Sequence, residues 1–265
     1  MTKTFSLITG ASSGIGLEIA KELASRGNNL LLTARREKKL IKLKNEIISK
    51  FNVECDFICV DLSEINSTTK IFNYCDQNGY FINILINNAG YALPNFFDKT
   101  PMVDEEKFLR VLSISVISLT KIFLPEMIKK NNGKIMIVSS VAAYAPPSKI
   151  QVLYGPVKTF MNRFSEAINL SYNKNNIYST SLCPGYTITN FHTASGVQNE
   201  MDSVPSFLKK SACRVAKEGV EGMMAKKRVV VPTKTWKIIV FLLKLVPKKV
   251  FDLLSSILAP GRYEN

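Results

Sequence analysis

Residues 9–16 read "TGASSGIG". They follow a short apolar run, "FSLIT" (5–9), and lead into "GLEIAKELASRG" (16–27), which has apolar residues at helical spacing and a glycine at its end. Gly10, Gly14 and Gly16 let the backbone turn tightly and approach a pyrophosphate. The start of the following helix supplies free N–H groups and the positive end of its dipole. A glycine-rich turn alone is a weak signal. A strand before it and a helix after it, near the start of the chain, are the context that gives it weight. The plainer alternative is a tight turn that binds nothing.

The same alternation continues along the chain. "NLLLTA" (29–34), "CDFICVDL" (55–62), "INILINNAG" (82–90), "GKIMIVSS" (133–140) and "IYSTSLCPG" (177–185) read as buried strands. Residues 36–51, 104–130 and 157–175 read as helices between them. Strands that are apolar on both faces, alternating with helices, predict an α/β fold of the Rossmann type, a doubly wound parallel sheet covered on both sides. Residues 186–205 are polar and irregular, and a helix (about 206–225) and a late strand (228–232) follow. The division this suggests is a single sheet domain over 1–232, with a substrate loop at about 186–225 inside it, and a C-terminal amphipathic helical extension over 233–265.

The 265 residues suit one α/β domain with elaborations, long enough to bury a core without cross-links. Five scattered cysteines with no CxxC pair read as reduced thiols in a reducing, cytoplasmic setting, and a single histidine, His192, excludes His-rich metal chemistry. The N-terminal apolar stretch is too short for a signal peptide, and no run of 18 uncharged apolar residues suggests a spanning helix. The net charge is +14; residues 205–265 hold 13 Lys+Arg and 4 Asp+Glu, a net +9. An excess that lies mostly in the C-terminal quarter points to an anionic surface or partner for the tail more than to a nucleic-acid protein.

Two readings compete for the glycine loop. Gly10-Ala11-Ser12-Ser13-Gly14 also fits G-x-S-x-G, the nucleophile elbow of serine hydrolases. An elbow needs several strands before it and a histidine placed after an acid, whereas one strand precedes it here and His192 lies in an irregular stretch. The end of the second strand favours the dinucleotide reading. An acid there would bond the ribose hydroxyls; this chain has Ala34, then Arg35 and Arg36. Guanidinium groups pair with a 2′-phosphate, so NADP(H) is expected over NAD(H). The alternative is that both arginines merely open a solvated basic helix.

"TGASSGIG" (9–16), "DL" (61–62), "NNAG" (87–90), "VSS" (138–140), "YGPVK" (154–158) and "PGYTIT" (184–189) occur in that order. Together they resemble the short-chain dehydrogenase/reductase family, over most of the chain. The later "CRVAKEGVEGMMAKKRVVVP" (213–232) is similar to a bacterial subgroup of undefined substrate. The resemblance implies an NADP(H)-dependent oxidoreductase acting on CH–OH and C=O groups, assembled as a homodimer or homotetramer. It places the cofactor against Gly10, Ser12, Ser13, Gly14, Ile15 and Gly16, with Arg35 and Arg36 at the ribose phosphate and Asp61 and Leu62 at the adenine. Asn88, Ala89 and Gly90 would line the adenosine side, with Asn87 beside them, and Asn88 would also steady the central strand. Pro184, Gly185, Ile188 and Thr189 would meet the nicotinamide, Thr187 being a second candidate.

The same resemblance makes Tyr154 the acid/base, Lys158 its electrostatic partner and a ribose ligand, and Ser140 the group that holds the substrate oxygen, with Ser139 as the fallback. A free phenol has a pKa of about 10, and a lysine one turn away lowers it by favouring the phenolate. Without the other motifs, Tyr154 and Lys158 would read as an ordinary surface pair. Two departures from the family stand out. The spacing from Ser140 to Tyr154 is one residue longer than usual, and the extra residue falls in a loop. The family's helical asparagine, which holds a water linking the lysine to solvent, aligns without gaps on Leu112; Ser113 and Ser115 are the nearest polar residues. That departure supports an alternative, an NADP(H)-binding sensor or scaffold with little turnover.

"WKIIVFLLKLVPKKVFDLLSSILAPGR" (236–262) is apolar and punctuated by lysines. Trp236, Ile239, Leu242, Leu243 and Val246 recur at helical spacing, as do Val250, Leu253, Leu254, Ile257 and Leu258. Such a face covers the cleft or a second subunit, or lies in a membrane interface. With the polar loop, it suggests a hydrophobic aldehyde or ketone as substrate.

Overall fold

The protein is described by a computed structural model over residues 3–148, 151–189 and 204–245. Its first half alternates β1 (Lys3–Thr9), α1 (Gly14–Ser25), β2 (Leu30–Ala34), α2 (Glu37–Lys50), β3 (Cys55–Cys59), α3 (Ser67–Gln77) and β4 (Tyr80–Asn87). A long helix follows as α4 (Met102–Leu109) and α5 (Ser115–Lys129), joined by a π turn at Arg110–Ile114. Then come β5 (Gly133–Val138), α6 (Tyr154–Tyr172), β6 (Ile177–Leu182), the short β7 (Thr187–Ile188) and β8 (Lys210–Ser211), α7 (Ala212–Met224), β9 (Val229–Val230) and α8 (Lys234–Leu245).

Seven strands form one parallel sheet in the order β3-β2-β1-β4-β5-β6-β9. This is the doubly wound sheet expected from the alternation of apolar runs and helices. Its two faces follow from the period of two along each strand. On one side Phe5, Leu7, Leu85, Ile135 and Ile137 pack with residues of α3, α5 and α6. On the other Ile8, Ile86, Met136 and Val138 pack with residues of α1, α2 and α7. The order reverses between β1 and β4, so the crevice of a doubly wound sheet lies beyond Thr9 and Asn87.

Three differences from the sequence reading have physical causes. Helix α3 was not expected, because its core face is partly made of Ser67 and Thr68 beside Ile71 and Cys75, which blurs the apolar period. Helix α6 starts at Tyr154 and not at 157, with Gly155 and Pro156 in its first turn, where a missing N–H costs little. Helix α7 starts at Ala212 and not near 206, where the Ser211 hydroxyl accepts from the Arg214 N–H; the preceding residues pair β7 with β8. The helix Met102–Lys129 is long and apolar enough to span a bilayer, but Phe108, Leu119, Phe123 and Met127 are spent in the core.

Helix α8 settles part of the tail. Trp236 and Val240 are buried, while Ile238, Phe241, Leu242 and Leu245 are exposed, so Leu242 faces out and not in. The indole lies against Gly185: an ideal Cβ there would sit 2.0 Å from Trp236 Cε2. Its Nε1 donates to the Leu208 carbonyl at 2.9 Å. The expectations for Val246, Val250, Leu253, Leu254, Ile257 and Leu258, and for His192, lie outside the described residues.

Candidate cofactor and active site

Thr9, the last residue of β1, ties the glycine loop to the end of β4. Its hydroxyl donates to the Ile86 carbonyl and accepts from the N–H groups of Asn88 (2.9 Å) and Ala89 (3.0 Å). The Asn88 amide donates to the carbonyls of Thr9 (2.9 Å) and Gly10 (3.3 Å). Gly16 is required by this packing, since a Cβ on it would lie 2.3 Å from Asn88 Nδ2 and 2.7 Å from the Gly10 carbonyl. The loop is thus fastened against "NNAG". Gly90 faces Leu112, whose Cγ would be 3.6 Å from a Cβ there.

The cationic end of the site is built on the same loop. Arg36 donates through Nη2 to the hydroxyls of Ser12 (2.8 Å) and Ser13 (2.6 Å), and through Nε to Ser12 (3.2 Å). Arg35 lies 3.6 Å from the Asp61 carboxylate. Burial disfavours the charge on Asp61, but hydrogen bonds from the N–H and hydroxyl of Ser63, with Arg35 nearby, hold its carboxyl below the ordinary range. Leu62 is buried in the core next to it. Ile15 packs on the other face of the sheet, at the start of α1.

The "PGYTIT" segment reaches the loop from the other direction. Thr189 lies over Gly14, its Cβ 3.3 Å from where a Cβ on that glycine would be. Thr187 is buried, its hydroxyl donating to the Gly185 carbonyl, and Ile188 is exposed. Thr189, not Thr187, therefore faces the cradle. Pro184 accepts from the Val141 N–H, which joins this turn to the end of β5.

Ser139 and Ser140 follow β5 with opposite orientations. The Ser139 hydroxyl is buried and donates to the Lys158 carbonyl at 3.1 Å. The half-buried Ser140 accepts from the Ala142 N–H at 3.1 Å and caps a short helical turn. Lys158 is buried, its Nζ donating to the Val138 carbonyl at 2.8 Å and lying 5.5 Å from the centre of the Tyr154 ring. Helix α6, which carries both, is fastened to β6 by Asn169, whose amide exchanges hydrogen bonds with the backbone of Ser179.

Burial pushes the Lys158 ammonium down to about 8, against a smaller opposing effect of Cys183. Cys183 is pushed up by burial beside Tyr144 and Asn162, a cluster that the sequence motifs do not mark. Between about 8 and 10.5 the folded cofactor-free protein then binds fewer protons at Lys158 than the unfolded chain does. The penalty of burying the charge is present below that window and is relieved as pH rises through it. Relative to Lys158→Met, the wild-type protein should therefore gain thermal stability from about pH 7 to about pH 10. Parallel melting curves of the two proteins measure this; a difference independent of pH would contradict it.

Leu112 sits buried inside the π turn. The neighbouring serine hydroxyls are engaged within the helix, Ser113 with the Leu109 carbonyl (2.5 Å) and Ser115 with the Val111 carbonyl (2.8 Å). A π turn adds one residue to a helical turn, so positions beyond it rotate relative to an ungapped reading.

A family model described as short chain dehydrogenase matches residues 4–200. The chain belongs to the short-chain dehydrogenase family. Among relatives of this short-chain dehydrogenase, the very-long-chain 3-oxoacyl-CoA reductase of Rattus norvegicus is 31% identical over 209 residues, covering 77% of this chain and 66% of that protein. Hydroxysteroid dehydrogenase-like protein 1 of Gallus gallus is 30% identical over 229 residues, 84% of this chain and 66% of that one. The match thus spans just under two thirds of these relatives. A short-chain dehydrogenase from Sphingobium yanoikuyae in complex with NADPH superposes with a TM-score of 0.82 at 25% identity, over 100% of both chains. Members of the family work with a nicotinamide cofactor, and the loop described above fits one: Gly10 (φ 66°) and Gly14 (φ 59°) hold a left-handed, side-chain-free turn at the start of α1, and Arg36 is fixed beside two hydroxyls.

Proposed function

We propose that this short-chain dehydrogenase is an NADP(H)-dependent oxidoreductase that interconverts a carbonyl and an alcohol on a hydrophobic substrate, with Tyr154 as acid/base. The observation that carries the reading is the placement of Lys158, buried and fixed on Val138, under the ring of Tyr154 at the start of α6. When bound, the nicotinamide supplies or accepts the hydride. Tyr154 gives a proton to the carbonyl oxygen during reduction and takes it back during oxidation. Lys158, charged below about pH 8, favours the phenolate that remains. Ser140, the more accessible of the two serines, holds the substrate oxygen. Gly10, Ser12, Ser13, Gly14, Ile15 and Gly16 take the phosphates, Asp61, Leu62, Asn88, Ala89 and Gly90 the adenosine, and Pro184, Gly185, Ile188 and Thr189 the nicotinamide. NADP(H) is preferred because Arg36 and Arg35 present cations where an acid would select NAD(H).

The test is NADPH oxidation against long-chain 3-oxoacyl thioesters, apolar ketones and aldehydes, the first class suggested by the names of the relatives. Turnover on at least one is expected. NADPH binding without turnover on any favours a second reading, a nicotinamide-binding sensor. Leu112 supports that alternative, since its side chain has no polar atom to hold a water or relay a proton, while the hydroxyls of Ser113 and Ser115 donate within their own helix.

The proposal extends to where the protein works. It is a cytoplasmic homodimer or homotetramer; the outward Phe160 and Leu170 of α6 suit a subunit contact. On α8, Ile238, Phe241, Leu242 and Leu245 form an exposed stripe beside Lys234, Lys237 and Lys244, with no acid in the helix. That arrangement suits peripheral contact with an anionic membrane. Flotation with vesicles containing phosphatidylserine should carry the protein at low salt and release it at high salt; no flotation at low salt removes the membrane contact.

A further inference from the structure

Glu105 is an acid in an unusual place. It lies on the first turns of α4 and is 6% exposed, and its Oε2 is buried with no hydrogen-bond partner. Among the described residues no cation pairs with it. A carboxyl oxygen withdrawn from water and left unpartnered is costly unless something else meets it.

The surroundings of Glu105 suggest what does. It lines a small pocket with the apolar Leu93, Phe97, Phe108, Val152 and Leu153 and the polar Asn95, Gln151 and Tyr154. Phe108 is held in that wall by an edge-on contact with Tyr91, ring centres 5.7 Å apart. The pocket thus joins apolar walls to a carboxyl, two side-chain amides and the proposed proton donor. We propose that Glu105 is a specificity-determining residue whose carboxyl receives an uncharged hydrogen-bonding group of the substrate, a hydroxyl, an amide or a second carbonyl, close to the carbon that reacts. This rests on the reading of Tyr154 as the group that meets the substrate carbonyl.

The chemistry of the carboxyl narrows the ligand class. Burial, and the neighbouring Asp104, push the Glu105 pKa up and so favour the neutral acid. A carboxyl accepts from a hydroxyl or an amide N–H in either form, and donates to a carbonyl when it is protonated. The substrate is thus an apolar carbonyl compound with one further neutral polar group, not a plain hydrocarbon ketone.

The experiment measures binding, not turnover. NADPH complexes of Tyr154→Phe, Tyr154→Phe/Glu105→Leu and Tyr154→Phe/Glu105→Gln are titrated calorimetrically with two ligands: a long-chain methyl ketone, and the same ketone carrying a hydroxyl two carbons from the carbonyl. Glu105→Leu should weaken the hydroxyketone by about tenfold or more and leave the plain ketone within about twofold. Glu105→Gln, which keeps a donor and an acceptor, should hold the hydroxyketone within about threefold. Equal losses for both ligands, no loss for either, or binding of neither ligand to any variant would overturn the proposal. Wild-type protein that binds selectively through Glu105 but reduces no carbonyl would sink the catalytic reading and leave this one standing. Melting curves of each variant show that the comparison is made between folded proteins.

Discussion

Tyr154→Phe is expected to lower carbonyl reduction by about a hundredfold to ten-thousandfold, the range that a positioned proton donor contributes. The phenyl ring keeps the packing against Leu153 and the pocket wall and removes only the hydroxyl. NADPH affinity should stay within a few-fold, because the glycine loop and Arg36 are untouched. Stopped-flow reduction and NADPH fluorescence titration separate the two quantities. A variant that binds NADPH normally and turns over at the wild-type rate would exclude Tyr154 as the acid. Ser140→Ala is a less decisive probe, since that hydroxyl also caps the turn at Val141–Ala143.

Arg36→Glu is expected to weaken NADPH binding by about a hundredfold while changing NADH binding far less. A hydrogen bond to a charged group contributes about 1.5–3 kcal/mol, and Arg36 would offer a phosphate more than one N–H. Ser12 and Ser13 already hold the guanidinium in place, so little ordering is required when the ligand arrives. Replacement by glutamate adds repulsion to the loss. The difference should shrink as salt is raised, because the site is partly exposed. Equal effects on NADPH and NADH would mean that Arg36 only supports the loop and that the 2′-phosphate lies elsewhere.

The sheet and the cradle were legible in the sequence because their causes are local. Apolar runs of five or six residues specify buried strands, and glycines at 10, 14 and 16 follow a backbone requirement that few other residues meet. Arg36 was legible for the same reason, standing just past a strand end. What was not legible depends on pieces distant in sequence. Helix α3 hides its core face behind serine and threonine, and Glu105 reads as one more acid in a polar helix start until the fold brings it to the pocket that Tyr154 and Phe97 also line. The choice between Ser139 and Ser140 could not be made from "VSS", since it depends on which hydroxyl faces the Lys158 carbonyl. The ungapped placement of Leu112 assumed a regular helix, and the π turn falls across that residue.

The contact between Trp236 and Gly185 bears on how the protein is made. The glycine loop, Arg35, Arg36, Tyr154 and Lys158 all precede residue 190, so a ribosome has already delivered them while α8 is still untranslated. The turn at Pro184–Gly185 gains its covering indole only when the chain has been extended by some fifty residues more, 236 against 185. A nascent chain that has just passed residue 189 therefore holds the glycine loop and α6, with the Pro184–Gly185 turn not yet covered by the indole. Vectorial synthesis makes the docking of α8 on that turn a late step, and a chain ending before Trp236 would leave Gly185 without its indole.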